Sequence, residues 1–128
     1  MKFLLDTHAF IWWDSDPTKL PPSILALCQD SANTLFVSVA SVWEMQIKIQ
    51  LGKLKLTVPL AEIIERQQHT NQIEILPVNL SHVLALDSLP SHHKDPLNRL
   101  LIAQAQVEGA ALLSGDAIMA QYPIVVQW

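Results

Sequence analysis

Apolar and polar positions follow two alternating periods along this chain, and the changes of period mark its elements. "KFLL" (2–5) is a short apolar run ending at Asp6, the pattern of a buried strand. "HAFIWWD" (8–14) predicts a short helix stopped by the "DSDP" turn at 14–17. Pro21 and Pro22 suit the first turn of a second helix running through "SILALCQDSA". "TLFVSV" (34–39) is rich in β-formers and predicts strand two. "SVWEMQIKIQLGKL" (41–54) then places apolar residues at 43, 47, 51 and 54, a helical spacing, with Gly52 as its terminator. "PLAEIIERQQH" (59–69) reads as an amphipathic helix, "IEILPV" (73–78) as strand three and "SHVLALDSL" (81–89) as a short helix. "DPLNRLLIAQAQVEG" (95–109) predicts a longer helix ending at Gly109. "AALLS" (110–114) follows as strand four, "DAIMAQY" (116–122) as a short helix and "IVVQW" (124–128) as a last strand.

Strands interleaved with helices predict an α/β fold, a three-layer α/β/α sandwich around a mostly parallel sheet of four to five strands. The 128 residues read as a single domain over 1–128, with no internal repeat and no low-complexity tract. Half of them are hydrophobic and 16% are charged, which favours a packed core over disorder. A net charge of −4 argues against gripping nucleic acid by bulk charge. It leaves open an acidic site that reaches phosphate through bound cations. The single Cys28 has no disulfide partner and no zinc-ligand spacing, which suits a reducing cytoplasm. Asp6 and His8 interrupt the opening "MKFLLDTHAFIWW" too early for a signal peptide. No stretch approaches the ~18 apolar residues of a membrane span. The expectation is a soluble cytoplasmic protein.

In open parallel sheets ligands bind beyond the carboxyl ends of the strands. Strand one hands over to Asp6-Thr7-His8, strand two to a helix with Ser41 and Glu44, and strand four to Ser114-Gly115-Asp116. The helix at 95 opens with Asp95 and, one turn on, Asn98. Carboxylates delivered to one edge repel each other unless protons or cations intervene. Oxygen donors without a nearby cysteine favour Mg²⁺ or Mn²⁺. Most of these residues also have a plain structural reading. Ser41-x-x-Glu44 fits a capping box, Asp95-Pro96 an N-cap followed by proline, and Asp116 a cap of the short helix after it. Asp6 carries no such signature. The acids at 14, 16, 30, 62, 65, 74 and 108 read as surface solvation. His92 and His93 are adjacent, so they point apart and suit a loop better than joint metal binding. Trp12 and Trp13 read as packing or an oligomer contact, and Trp43 as a core residue or a base-stacking surface.

Four stretches carry a resemblance: "LLDTH" at the start, "SVASVWEM" (38–45), "HHKDPLNRLLIAQA" (92–105) and "LLSGDAIMAQY" (112–122). Together they resemble the PIN-domain nucleases, in particular the VapC-type toxins of bacterial toxin–antitoxin pairs, in the family's order and spacing. The resemblance implies an α/β/α sandwich whose acidic pocket holds Mg²⁺ or Mn²⁺ and cleaves RNA. It also implies a cognate antitoxin as inhibitor and a homodimer. Position by position, Asp6, Glu44 and Asp116 match three of the family's acids. Asp6 and Asp116 are expected to ligate metal, and Glu44 to complete the shell or orient the attacking water. Members of this subtype commonly read Asp-Pro-Phe-Asp-Arg in the third stretch; here Asp95 is kept, but the second acid is Asn98. Thr7 and Ser114 are candidates to fix the ligands by hydrogen bonds. Arg99 is a candidate to reach a phosphate, to lock a carboxylate, or simply to serve structure.

The asparagine matters energetically, since one unit charge about 4 Å from another is worth roughly 4 kcal/mol at an effective dielectric near 20. Three readings follow. Asp95 compensates; or Asn98 is a neutral ligand in a site of reduced affinity; or the protein is an impaired family member that binds antitoxin or RNA without cleavage. An aspartate-nucleophile phosphatase fits poorly, because strand one ends in Asp-Thr-His without a second aspartate two positions on.

Overall fold

The computed structural model describes residues 1–128. The strands are β1 (Lys2–Leu5), β2 (Thr34–Ser38), β3 (Glu74–Leu76), β4 (Ala111–Leu113) and β5 (Val126–Gln127). They pair in parallel in the order β3-β2-β1-β4-β5. Helices α1 (Thr7–Ser15), α2 (Pro22–Gln29), α3 (Val39–Gln50), α4 (Leu60–Thr70), α5 (Leu80–Ala85) and α6 (Pro96–Glu108) connect them.

The two-residue period of the strands builds the layers. Phe3, Leu5, Leu35, Val37, Ala111 and Leu113 point to one face, where they meet Phe10 of α1, Ile24 of α2, Met45 of α3 and Ile63 of α4. Leu4, Phe36 and Leu112 point to the other, against Leu101, Ile102 and Ala105 of α6 and against Met119 and Tyr122. Covered on both sides, the strands are apolar throughout rather than alternating, as buried parallel sheets are. Each fully buried leucine or phenylalanine here is worth about 1.5–3 kcal/mol against exposure. The result is the α/β/α sandwich expected from the sequence. No helix is long and apolar enough to cross a membrane.

The strand exits are built differently from the sequence reading. Asp6 does have a cap role: its Oδ1 accepts the Ala9 N–H at 2.8 Å, and α1 begins one residue earlier than expected, at Thr7. The cap of α3 is Ser38, whose Oγ accepts the Ala40 N–H at 3.0 Å. The capping box expected between Ser41 and Glu44 does not form, because the helix has already started; Ser41 is buried with its hydroxyl unpartnered. Residues 117–121 form a 3-10 turn rather than an α-helix, capped by Asp116 Oδ1 on the Ile118 N–H at 3.0 Å. At α6 the reading holds: Asp95 Oδ1 accepts the Leu97 N–H at 2.9 Å. Gly109, at φ +64°, ends that helix in the left-handed conformation. Not every outlying acid is mere solvation, since Asp14 accepts from both Arg66 and Gln67 at 2.8 Å.

Because β1 is central, with β2 on one side and β4 on the other, the chain changes winding direction there. That switch point at the carboxyl edge is where α/β sheets open a crevice.

Candidate active site

A cavity of about 510 Å³ opens at this edge. The exit of β1 contributes Asp6, Thr7 and His8, with Trp12 one turn along α1. Helix α3 contributes Glu44 and Lys48, the mouth of α6 contributes Asp95 and Asn98, and the exit of β4 contributes Gly115 and Asp116. Trp128 closes one side. Asp6, Glu44, Asp95, Asn98 and Asp116, far apart in sequence, therefore line one hollow.

The carboxylates sit in unlike environments. Asp6 is 7% exposed, and burial raises its pKa above the ordinary value. Hydrogen bonds from Ser114 and the Ala9 amide and the charge of His8 pull the other way without winning, while the nearby Glu44 adds to the rise. Asp116 is also pushed up by burial, but here the opposing hydrogen bonds from His93 and the Ile118 amide prevail and its pKa is lowered. Glu44 Oε2 lies 3.6 Å from Lys48 Nζ, one helical turn away.

Around Asp95 the contacts converge on His93. The Asp95 N–H donates to His93 Nδ1 at 3.0 Å, which puts the proton of a neutral ring on Nε2. That Nε2–H donates to Asp116 Oδ2 at 2.8 Å. Asn98 Nδ2 lies 3.2 Å from the same Nε2, but two N–H groups cannot bond each other, so this is only a contact. The amide is oriented instead by Asp95 Oδ2, to which Nδ2 donates at 3.3 Å. This arrangement commits Asn98 Nδ2 to Asp95, so its carbonyl oxygen is the atom left to meet a cation.

The supporting residues divide. The Ser114 hydroxyl, which favours the charged form of Asp6, also accepts the main-chain N–H of Asp116 at 3.1 Å, so one side chain links the Asp6 carboxylate to the backbone that carries Asp116. Thr7 Oγ1 is buried beside Asp6 without a partner. Arg99 reaches neither carboxylate nor cavity. Its Nη2 donates to the carbonyls of Leu86 and Leu89 at 3.5 and 3.4 Å, because the next residue along a helix is turned about 100° from Asn98. The sequence reading gave no site role to His93, Lys48, His8 or Trp128. His93 is two residues from Asp95, but nothing in a loop's composition signals where its ring turns. His92, its neighbour, packs edge-on against Tyr122, so the two rings do diverge.

The donor set fits a hard divalent cation: four carboxylates and a carboxamide line the cavity, without a thiolate. The buried Asp6 carboxylate has no basic side chain hydrogen-bonded to it, which is the electrostatic condition a cation relieves. The shell is not closed, however. No three His, Cys, Asp or Glu side chains stand close enough together to share one ion, and Lys48 and His93 are set against two of the acids.

The PIN domain family model matches residues 3–125. The chain is 28% identical over 116 residues to ribonuclease VapC22 of Mycobacterium tuberculosis, covering 88% of this chain and 85% of that one. Among solved structures it is similar to VapBC2 from Rickettsia felis bound to a DNA fragment from their promoter. There the TM-score is 0.72 and the identity 16%, over 99% of this chain and 98% of that one. DNA-bound VapBC from Salmonella typhimurium gives a TM-score of 0.69 at 14% identity, over 99% and 97% of the two chains. At these identities the structural likeness speaks for the fold.

Proposed function

The chain belongs to the PIN-domain family, and from that premise we propose that it is a divalent-metal-dependent endoribonuclease, the toxin of a toxin–antitoxin pair. Similarity to a protein named as a ribonuclease supports RNA as the substrate. Similarity to chains solved as VapBC complexes supports a protein antitoxin as the partner. The observation that carries the reading is the cavity, where four connections deliver four carboxylates to one switch point. The rest of the reading is a cytoplasmic homodimer. The lone, buried Cys28, which leaves the fold without a disulfide, and the exposed apolar face of α5, with Leu80, Val83 and Leu84, support it.

Asp6, Glu44, Asp95 and Asp116, with the Asn98 carbonyl oxygen, are the residues that would hold Mg²⁺ or Mn²⁺ once their side chains draw in around it, since as they stand no three share one point. When bound, the ion supplies positive charge against the phosphate and lowers the pKa of the attacking water. The chain's own residues do the rest. Glu44, the longest acidic side chain of the site, would complete the shell of the ion or accept a hydrogen bond from a water and orient it toward phosphorus. Lys48 brings an ammonium to the rim, where it offsets repulsion between an acidic protein and an incoming phosphodiester. His93 holds Asp116 in place, and Ser114 holds Asp6. Asn98 leaves the site one charge short of the family's usual pattern, so metal affinity is reduced.

A second reading, a binding module without cleavage, draws on the same segment. The Asn98 and His93 N–H groups already satisfy the oxygens of Asp95 and Asp116 that an ion would take. Cleavage of RNA in millimolar Mn²⁺, its abolition by EDTA, and the effect of Asn98→Asp separate the two. The enzyme reading expects cleavage that the substitution raises about tenfold or more at limiting metal. If neither chain cuts single-stranded or structured RNA at millimolar Mn²⁺, the binding-module reading stands instead.

A further inference from the structure

Nine of the 11 residues that line the cavity are charged, polar or glycine, and the two hydrophobic ones are Trp12 and Trp128. Their ring centroids lie 5.7 Å apart with planes at 42°. His8 continues the surface, its ring 6.2 Å from that of Trp12. The approach of Trp128 is built into the backbone. A Cβ at Gly115 would fall 2.8 Å from Trp128 Nε1, 2.9 Å from Cε2 and 3.3 Å from Cδ1. Three consecutive pyrrole atoms at such similar distances place that point over the face of the ring rather than beyond its edge. The indole thus lies on the chain immediately before Asp116, and any side chain at 115 would push it away. Core burial does not account for this, because Trp128 remains 39% exposed. Nor do indoles help carboxylates hold a cation at the floor. What they match is a flat, π-faced group attached to a phosphate.

Resting on the ribonuclease reading above, we propose that Trp12 and Trp128 form a stacking subsite for a nucleobase of single-stranded RNA, one flanking the phosphate held at the acidic floor. Stacking requires a base that is free of its own helix, so unpaired RNA is the substrate class. Because every base has a π-face, the subsite sets position along the strand more than sequence, with larger purines gaining most. Trp43, which is 60% exposed but absent from the cavity lining, serves as the internal control.

The test is a titration of short single-stranded RNA carrying one 2-aminopurine into the full-length protein, with Ca²⁺ replacing Mg²⁺ and strand integrity checked on a gel. Stacking on indole quenches the probe. The expected result is quenching by the parent chain and by Trp43→Leu, and its loss in Trp12→Leu and Trp128→Leu. Affinity should weaken about tenfold in each of the latter two. An abasic strand should bind the parent equally weakly and lose nothing further with Trp128→Leu. Should Trp128→Leu fail to fold, Trp128→Phe, which keeps an aromatic face, is expected to retain most of the quenching, and Trp12→Leu carries the loss. RNA binding and cleavage by the parent with quenching and affinity unchanged in folded Trp variants would overturn the subsite and leave the ribonuclease reading intact. A parent chain that neither binds nor cleaves RNA overturns that reading, and the subsite with it.

Discussion

His82 and His93 accept a backbone N–H at Nδ1, from Asn79 at 2.9 Å and from Asp95 at 3.0 Å. Both present Nε2 to a carboxylate, Glu108 at 2.9 Å and Asp116 at 2.8 Å. What differs is where each pair stands. The His82 side chain is wholly buried, and its partner Glu108 ends α6, so the pair fastens the start of α5 to the end of α6. The His93 side chain is 12% exposed and Asp116 34%, and of the two it is Asp116 that lines the acidic cavity. A hydrogen-bonded histidine in a dry interior stabilises, because removing it strands the groups it satisfied. The same unit at a wet rim contributes little to stability and instead fixes a carboxylate's orientation.

Substituting the two histidines separately breaks or sharpens that contrast. His82→Ala leaves the Asn79 amide and the Glu108 carboxylate without their partner and opens a cavity, so a loss of about 2–4 kcal/mol is expected in urea unfolding. RNA cleavage per folded molecule should stay near that of the parent. His93→Ala should show the reverse, with stability changed by about 1 kcal/mol or less. Metal affinity should change on the order of tenfold, read as the Mn²⁺ concentration for half-maximal cleavage and, independently, by Mn²⁺ calorimetry. Equal stability losses in the two variants would erase the distinction.

A smaller effect probes the opposite face of the sheet. Burial pushes the Cys28 thiol from an ordinary 9.0 up to about 11. Its contribution to stability is therefore complete below pH 9.0 and is lost as pH rises toward 11, because the unfolded chain gives up its proton first. At pH 8 a disulfide reagent should label native protein slowly and urea-unfolded protein at once. Rapid native labelling would show that this face of the core is loose.

Much of the architecture was legible because its signals are local. The run from Phe3 to Leu5 closed by an acid, the Asp95-Pro96 cap and Gly109 at the end of α6 each lie within a few residues of what they determine. Errors came where two candidates competed over a short span. Ser38 and Ser41 both suit a cap, and only the end of β2 decides for Ser38. Asp6, Asp95 and Asp116 could be collected because each follows a strand or opens a helix, and Glu44 because it lies in the first two turns of the helix after β2; parallel topology brings those points to one edge. His93, Lys48 and Trp128 escaped that logic. Trp128 meets Gly115 and Trp12 only after β5 has paired with β4, and no period along the sequence encodes that meeting.

The central claim is that carboxylates from separate connections act together on a divalent cation. Calorimetric titration of Mn²⁺ into the parent, Asp6→Asn and Asp116→Asn tests it most directly, with circular dichroism and thermal unfolding run alongside. The account predicts saturable uptake by the parent, weakened at least about 100-fold in both folded variants. Asp6→Asn should be no less stable than the parent, because it removes a charge that burial disfavours. Uptake that is the same in all three chains, or absent from the parent at millimolar Mn²⁺, would contradict it.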